Sequence, residues 1–146
     1  MKKPLFAEST DVSVEKSISD ITVLLLQAGA VAINQEIEKS KVTGLSFVLP
    51  YGAGRIPYKL PIRTGQVFKK LQGTRRNFRS DARERDLERA ERIAWRQLFW
   101  WLKCQLALID LGMVESAEVL MPYMLGAGGQ SFFDTHRQKL IEGGGK

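Results

Sequence analysis

"AERIAWRQLFWWLKCQLALIDLG", residues 90–112, decides how this chain folds. Trp95, Phe99, Trp100 and Trp101 crowd into one short run, threaded with Arg92, Arg96 and Lys103. Such a run is either a helix that supplies a core or an aromatic, basic surface that holds nucleic acid. An α-helix turns about 100° per residue, which places Arg89, Arg92, Arg96, Lys103 and Asp110 within a stripe roughly 60° wide. Trp95, Leu98, Leu102, Leu106, Ile109 and Met113 occupy one flank of it. Trp100, Trp101, Cys104, Leu108 and Leu111 occupy the other. A helix apolar nearly all round, with one narrow polar seam, is expected at the centre of a domain and packed on both sides. Trp95 and Trp101 are therefore expected in the core, and Cys104 as a small buried hydrophobe. Phe99 and Trp100 border the seam, and there the two roles stay open.

The pattern extends outward on both sides. Upstream, Val14, Ile18, Ile21 and Leu25 recur at helical spacing, with Asp11 or Ser13 as the cap and Gly29 as the stop. Three strands follow. The first is expected over residues 30–37. The second is "TGLSFVLP", with Leu45, Phe47 and Leu49 on one side. The third alternates Ile56, Tyr58, Leu60 and Ile62, and its Pro57 and Pro61 mark it as an edge. "TGQVFKKLQG" predicts a short helix with Val67, Phe68 and Leu71 inward. Residues 72–84 form a basic loop or a frayed helix start. The long helix then runs from about Glu84 to Leu111 and stops at Gly112. "VESAEVLMPYML" predicts a further helix ended near Pro122, with a short terminal segment after it. The expected class is α+β: an N-terminal helix, a three-stranded antiparallel meander, and a helical C-terminal half around a long central helix. Residues 1–11 are expected to be a flexible leader, 12–141 one domain, and 142–146 a disordered tail.

A chain of 146 residues with 44% hydrophobic and 26% charged residues has enough material for a core and is not of the disordered class. No apolar run approaches the roughly 20 residues that a membrane-spanning helix needs. "MKKPL" lacks the apolar stretch of a signal peptide. One cysteine excludes a disulfide framework, and a bacterial host cytoplasm is the expected compartment.

Charge is more selective than composition. The net charge is +6, yet residues 63–103 hold 12 basic and 5 acidic side chains, so the rest of the chain is slightly acidic. A concentrated positive field draws polyanions, nucleic acid first among them. "ARERDLERAER" is explained as a solvated helix face laced with weak ion pairs. "KKLQGTRRNFR" is not, because its cations have no acidic neighbour. The candidate nucleic-acid-binding residues are Lys69, Lys70, Arg75, Arg76, Phe78, Arg79, Arg83, Arg85, Arg89, Arg92, Arg96 and Trp100. Arginine suits bidentate contact with phosphate, and aromatics beside it can stack bases.

Catalytic signals are missing. A single histidine and a single cysteine do not make a zinc site. "GAGGQS" lacks the lysine and spacing of a phosphate-binding loop. Glu115 with Glu118, or Glu36 with Glu38, has the spacing for metal ligation but no third carboxylate. No cofactor, metal or enzymatic activity is expected.

Three features, followed by a Glu-rich helical turn and glycine turn in "VESAEVLMPYMLGAGGQS", together resemble a group of small uncharacterised phage and mobile-element proteins. These are "DVSVEKSISDITVLLLQAGA", a β meander, and Trp95, Arg96, Leu98, Lys103, Leu106, Ile109 and Gly112 in the pattern W-R-x-L…K-x-L-x-x-I-x-x-G. The likeness runs from about residue 10 to 133, with a strongly basic departure over residues 67–86. It implies a mobile-element setting and no mechanism. In topology alone, the helix–strands–helix order also resembles double-stranded RNA-binding domains, although their characteristic loop residues are not evident.

The leading expectation is a small non-enzymatic nucleic-acid-binding protein of a phage or mobile element, with DNA ahead of RNA. A nucleoprotein complex is also open as a partner, no membrane is expected, and homo-oligomerisation is open. The alternative is an interaction protein that docks on a host or defence complex. A small nuclease using paired carboxylates is the third and weakest reading.

Overall fold

The computed structural model describes residues 3–73 and 80–143. It is an α+β protein. In order, its elements are α1 (Val14–Gln27), β1 (Ala32–Glu38), β2 (Lys41–Tyr51), β3 (Gly54–Lys59), α2 (Thr64–Gln72), α3 (Ser80–Asp110), α4 (Ser116–Leu120), a 3-10 turn (Met121–Tyr123) and α5 (Phe132–Ile141). The chain divides into two compact units. One comprises the N-terminal segment to Val23 with Ile62–Lys103. The other comprises Leu24–Pro61 with the chain from Cys104 onward.

Local chemistry explains most element ends. The Ser13 hydroxyl accepts the Lys16 N–H at 3.1 Å, which makes Ser13 the cap of α1. Gly29 and Gly112 take φ of +89° and +74°, a conformation that carries little penalty only in glycine. The N–H of the residue after each glycine reaches back five residues, Ala30 to Leu25 and Met113 to Leu108. Both long helices therefore stop by the same left-handed motif. Helix α3 begins a turn earlier than expected, with Ser80 and Asp81 suited to a helix start and Ala82 and Arg83 strong helix formers without an apolar periodicity.

In the first unit, Leu71 of α2 and Ala90 and Ile93 of α3 are buried together, with Leu5, Val67 and Phe68 packed against them. Trp95 is 1% exposed, and Leu98, Phe99 and Leu102 are also buried. Residues 3–11, expected to be a loose leader, are tied to α3. Arg89 donates to the Glu8 carbonyl at 3.3 Å, and the Gln97 side-chain amide donates to the Phe6 carbonyl at 2.7 Å.

The second unit holds the sheet, an antiparallel meander in the order β1-β2-β3. Leu45, Phe47 and Leu49 alternate inward on β2, and Phe47 meets Tyr58 across the ladder with ring centroids 5.5 Å apart. Lys39 and Ser40 both have positive φ, as a two-residue β1–β2 turn requires for its twist to match the strands. As its prolines predict, β3 is an edge of the sheet, but that edge is not bare. The Leu125 N–H donates to the Pro57 carbonyl at 2.9 Å, and Met124 bridges Tyr58. Chain from the C-terminal half thus covers part of that edge, a long-range pairing that local sequence does not encode.

Burial also corrects the reading of α3 as a helix packed on both sides. Ala90, Ile93, Trp95 and Leu102 are buried, but within the helix Trp100 is 40% exposed, and just past its end Leu111 is 73% and Met113 67% exposed. Cys104 is exposed rather than buried.

Candidate functional site

The basic stripe lies on the first unit. Arg85, Arg89, Arg92, Arg96 and Lys103 recur at spacings of four, three, four and seven along α3, so they share one side of the helix. At about 1.5 Å per residue the row extends over roughly 27 Å.

The members of the row are not equivalent. Arg89 sits 3.4 Å from a Glu8 carboxylate oxygen. Arg96 is only 14% exposed and donates to Asp20 at 2.9 Å. Lys16 holds the other Asp20 oxygen at 2.7 Å. The two cations, Lys16 first and Arg96 second, hold the Asp20 carboxyl below its ordinary value. Two of the candidate contacts are therefore neutralised inside the unit. Among the described residues, Arg83, Arg85, Arg92 and Lys103 have no acidic partner.

The aromatics also separate. Phe99 is 7% exposed and Trp100 40%. Their rings meet edge-on with centroids 5.3 Å apart. The Arg96 guanidinium lies over Phe99 at 4.1 Å, and the Lys103 ammonium lies 5.2 Å from the Trp100 centroid. Phe99 serves as the buried support, while Trp100 offers ring surface to solvent between two cations. Stacking on such a ring is available to any unpaired base, and the unpaired Lys103 beside it can meet its phosphate.

The remaining candidates lie elsewhere or outside the described residues. Arg83 rests over the Phe68 ring at 5.9 Å. Lys69 and Lys70 are exposed in the last turn of α2. Arg75, Arg76, Phe78 and Arg79 fall outside the described residues. Sequence reasoning leaves Lys103 out of the candidates, although its place on the helical wheel marks it.

The second unit accounts for the carboxylates and the histidine structurally. Glu115 and Glu118 form a capping box at the start of α4, and the Tyr51 hydroxyl donates to Glu115 at 2.9 Å. That bond to a carboxylate, with its negative charge, raises the Tyr51 pKa above the ordinary tyrosine value. Lys59 pairs with Glu36 at 2.9 Å. The His136 Nδ1 lies 2.9 Å from the Phe132 carbonyl, and its ring stacks on that of Phe132. Among the described residues no group of three or more His, Cys, Asp or Glu is arranged to hold a metal. No described helix is long and apolar enough to cross a membrane.

The Asp20 cluster has a testable pH signature. A carboxylate with a depressed folded-state pKa contributes stability above its unfolded value near 3.8, and this is lost as pH falls through the folded value. Asp20→Asn is expected to lower the urea midpoint at pH 7. The gap from wild type should narrow as pH falls below 3.8 and close as it passes through the lower folded-state value, where Asp20 itself becomes protonated. A gap that stays constant across that range would show that the charge does not matter.

Fold and site together define an α+β protein with a cationic helix face carrying one exposed tryptophan. No family model, curated protein or solved structure matches the chain.

Proposed function

We propose that this chain is a small nucleic-acid-binding protein without catalytic activity, serving a phage or mobile element in the bacterial host cytoplasm. The observation that carries the proposal is Trp100, 40% exposed and flanked by Arg96 and Lys103. Arg92 and Arg85 continue the cationic row along the same helix. An exposed ring needs a base that is free to stack, so a single strand is favoured over a duplex, and DNA is kept ahead of RNA as the ligand to test first.

The test is fluorescence anisotropy with single-stranded DNA, duplex DNA and duplex RNA over a salt series. If about five phosphates are engaged, log affinity for a single strand should fall with log salt at a slope near −3.5. Affinity indifferent to salt, or no binding to any of the three, would overturn the proposal.

Exposed Leu111 and Met113 favour a second reading, in which the protein docks on a host or defence complex. That reading expects no retention of naked nucleic acid. It expects instead a stable complex recovered from nuclease-treated host lysate.

A further inference from the structure

A cleft of about 530 Å³ opens on the first unit. It is lined by Lys3, Pro4, Leu5, Glu8, Lys69, Lys70, Leu71 and Gly73. Three of these residues are lysines, Lys3, Lys69 and Lys70. Among the described residues Glu8 is the only carboxylate in its wall, and both oxygens of Glu8 are engaged, one by the Leu5 N–H at 3.0 Å and the other by Arg89 at 3.4 Å. Among the described residues none of the three lysines has an acidic partner. Lys69 and Lys70 stand in the last turn of α2, where cations suit the helix dipole. Lys3 precedes any helix and has no such reason to be there. Gathering three like charges at one concave surface is unfavourable until an anion joins them, and a cleft focuses their field. The same cleft has an apolar side, made by Pro4, Leu5 and the buried Leu71. Its volume falls within the roughly 300–1,000 Å³ of small-ligand sites.

We infer that this cleft is a nucleotide site, in which Lys3, Lys69 and Lys70 hold phosphate while the sugar and base lie against Pro4, Leu5 and Leu71. The ligand chemistry is a nucleoside carrying a 5′-phosphate group. It can come from a free nucleoside triphosphate or from the phosphorylated end of a strand. Its phosphate-holding lysines are not members of the Trp100 row, and the inference goes beyond the proposed function.

Calorimetric titration of the full chain, in magnesium-free buffer, tests it. The probes are ATP, inorganic triphosphate, and a tetranucleotide with and without a 5′-phosphate. ATP or the 5′-phosphorylated tetranucleotide is expected to bind, and whichever binds more tightly identifies the source. Inorganic triphosphate should bind at least tenfold more weakly than ATP, because it leaves the apolar wall unused. The double variant Lys69→Ala, Lys70→Ala should weaken binding tenfold or more, and Lys3→Ala should weaken it separately. All three lysines are exposed, so circular dichroism should show these variants folded. The inference is overturned if neither nucleotide probe binds or if binding ignores all three lysines. It is also overturned if triphosphate binds as well as ATP, which would mean an anion patch without nucleotide recognition. ATP binding that persists while long single strands fail to bind would remove the Trp100 proposal and leave this one standing.

Discussion

Replacing Trp95 with alanine is expected to destabilise the protein by about 3–5 kcal/mol. Replacing Trp100, five positions along the same helix, is expected to cost less than about 1 kcal/mol. The two side chains are chemically identical and differ only in what covers them. Trp95 is 1% exposed, so truncation removes a large buried surface and leaves a cavity that α3 cannot collapse to fill. Trp100 is 40% exposed, and much of its ring already faces water. Urea unfolding followed by far-ultraviolet circular dichroism gives both values on one scale. Equal losses would mean that Trp100 is a core residue, and the binding surface proposed around it would have no basis.

The second large effect is on binding, and it divides in two. Trp100→Ala is expected to weaken single-stranded DNA binding by about 1–3 kcal/mol, the usual worth of one base–aromatic stack, while leaving the salt slope unchanged. The triple variant Arg85→Ala, Arg92→Ala, Lys103→Ala should do the reverse. It removes three unpaired cations of the row and should make the slope shallower by about 2, at roughly 0.7 per phosphate on a single strand. Arg89→Ala and Arg96→Ala should change the slope little, because Glu8 and Asp20 already neutralise those side chains. Anisotropy over a salt series separates these outcomes. A slope that responds to Arg96 as strongly as to Arg92 would show that the Asp20 pair opens on binding and that the row acts as a whole.

Much of this organisation is legible in the amino-acid sequence alone. The helical face through Ile18, Ile21 and Leu25, the alternation of Leu45, Phe47 and Leu49, and the stops at Gly29 and Gly112 follow from short-range rules. Those rules act within a turn of helix or a pair of residues, so a linear sequence carries them. The inward placement of Val67, Phe68 and Leu71 on α2 is of the same kind. The burial of Trp95 follows from the helix being too apolar to stand in water.

The departures from sequence expectation share one physical source. Cys104, Leu111 and Met113 lie on a pattern that continues the apolar face of α3, but the pattern does not show where the covering elements end. Pro57 signals an edge correctly by its missing donor, yet its carbonyl still accepts from Leu125, far along the chain. Glu115 and Glu118 have metal-ligand spacing and are used as a cap.

The sequence by itself determined the class of the protein, its helix stops, its meander and the location of its positive charge. Periodicity, glycine conformation and formal charge are properties of neighbours along the chain. Only the tertiary structure decided which cations are free. Arg89 and Arg96 cannot be told from Arg85 and Arg92 by spacing or residue type. They differ because Glu8 and Asp20, 81 and 76 positions away, fold back onto them. The same folding back brings Lys3 to the cleft beside Lys69 and Lys70. Pairing between distant charges is set by where the chain returns in space, and no local rule specifies that return.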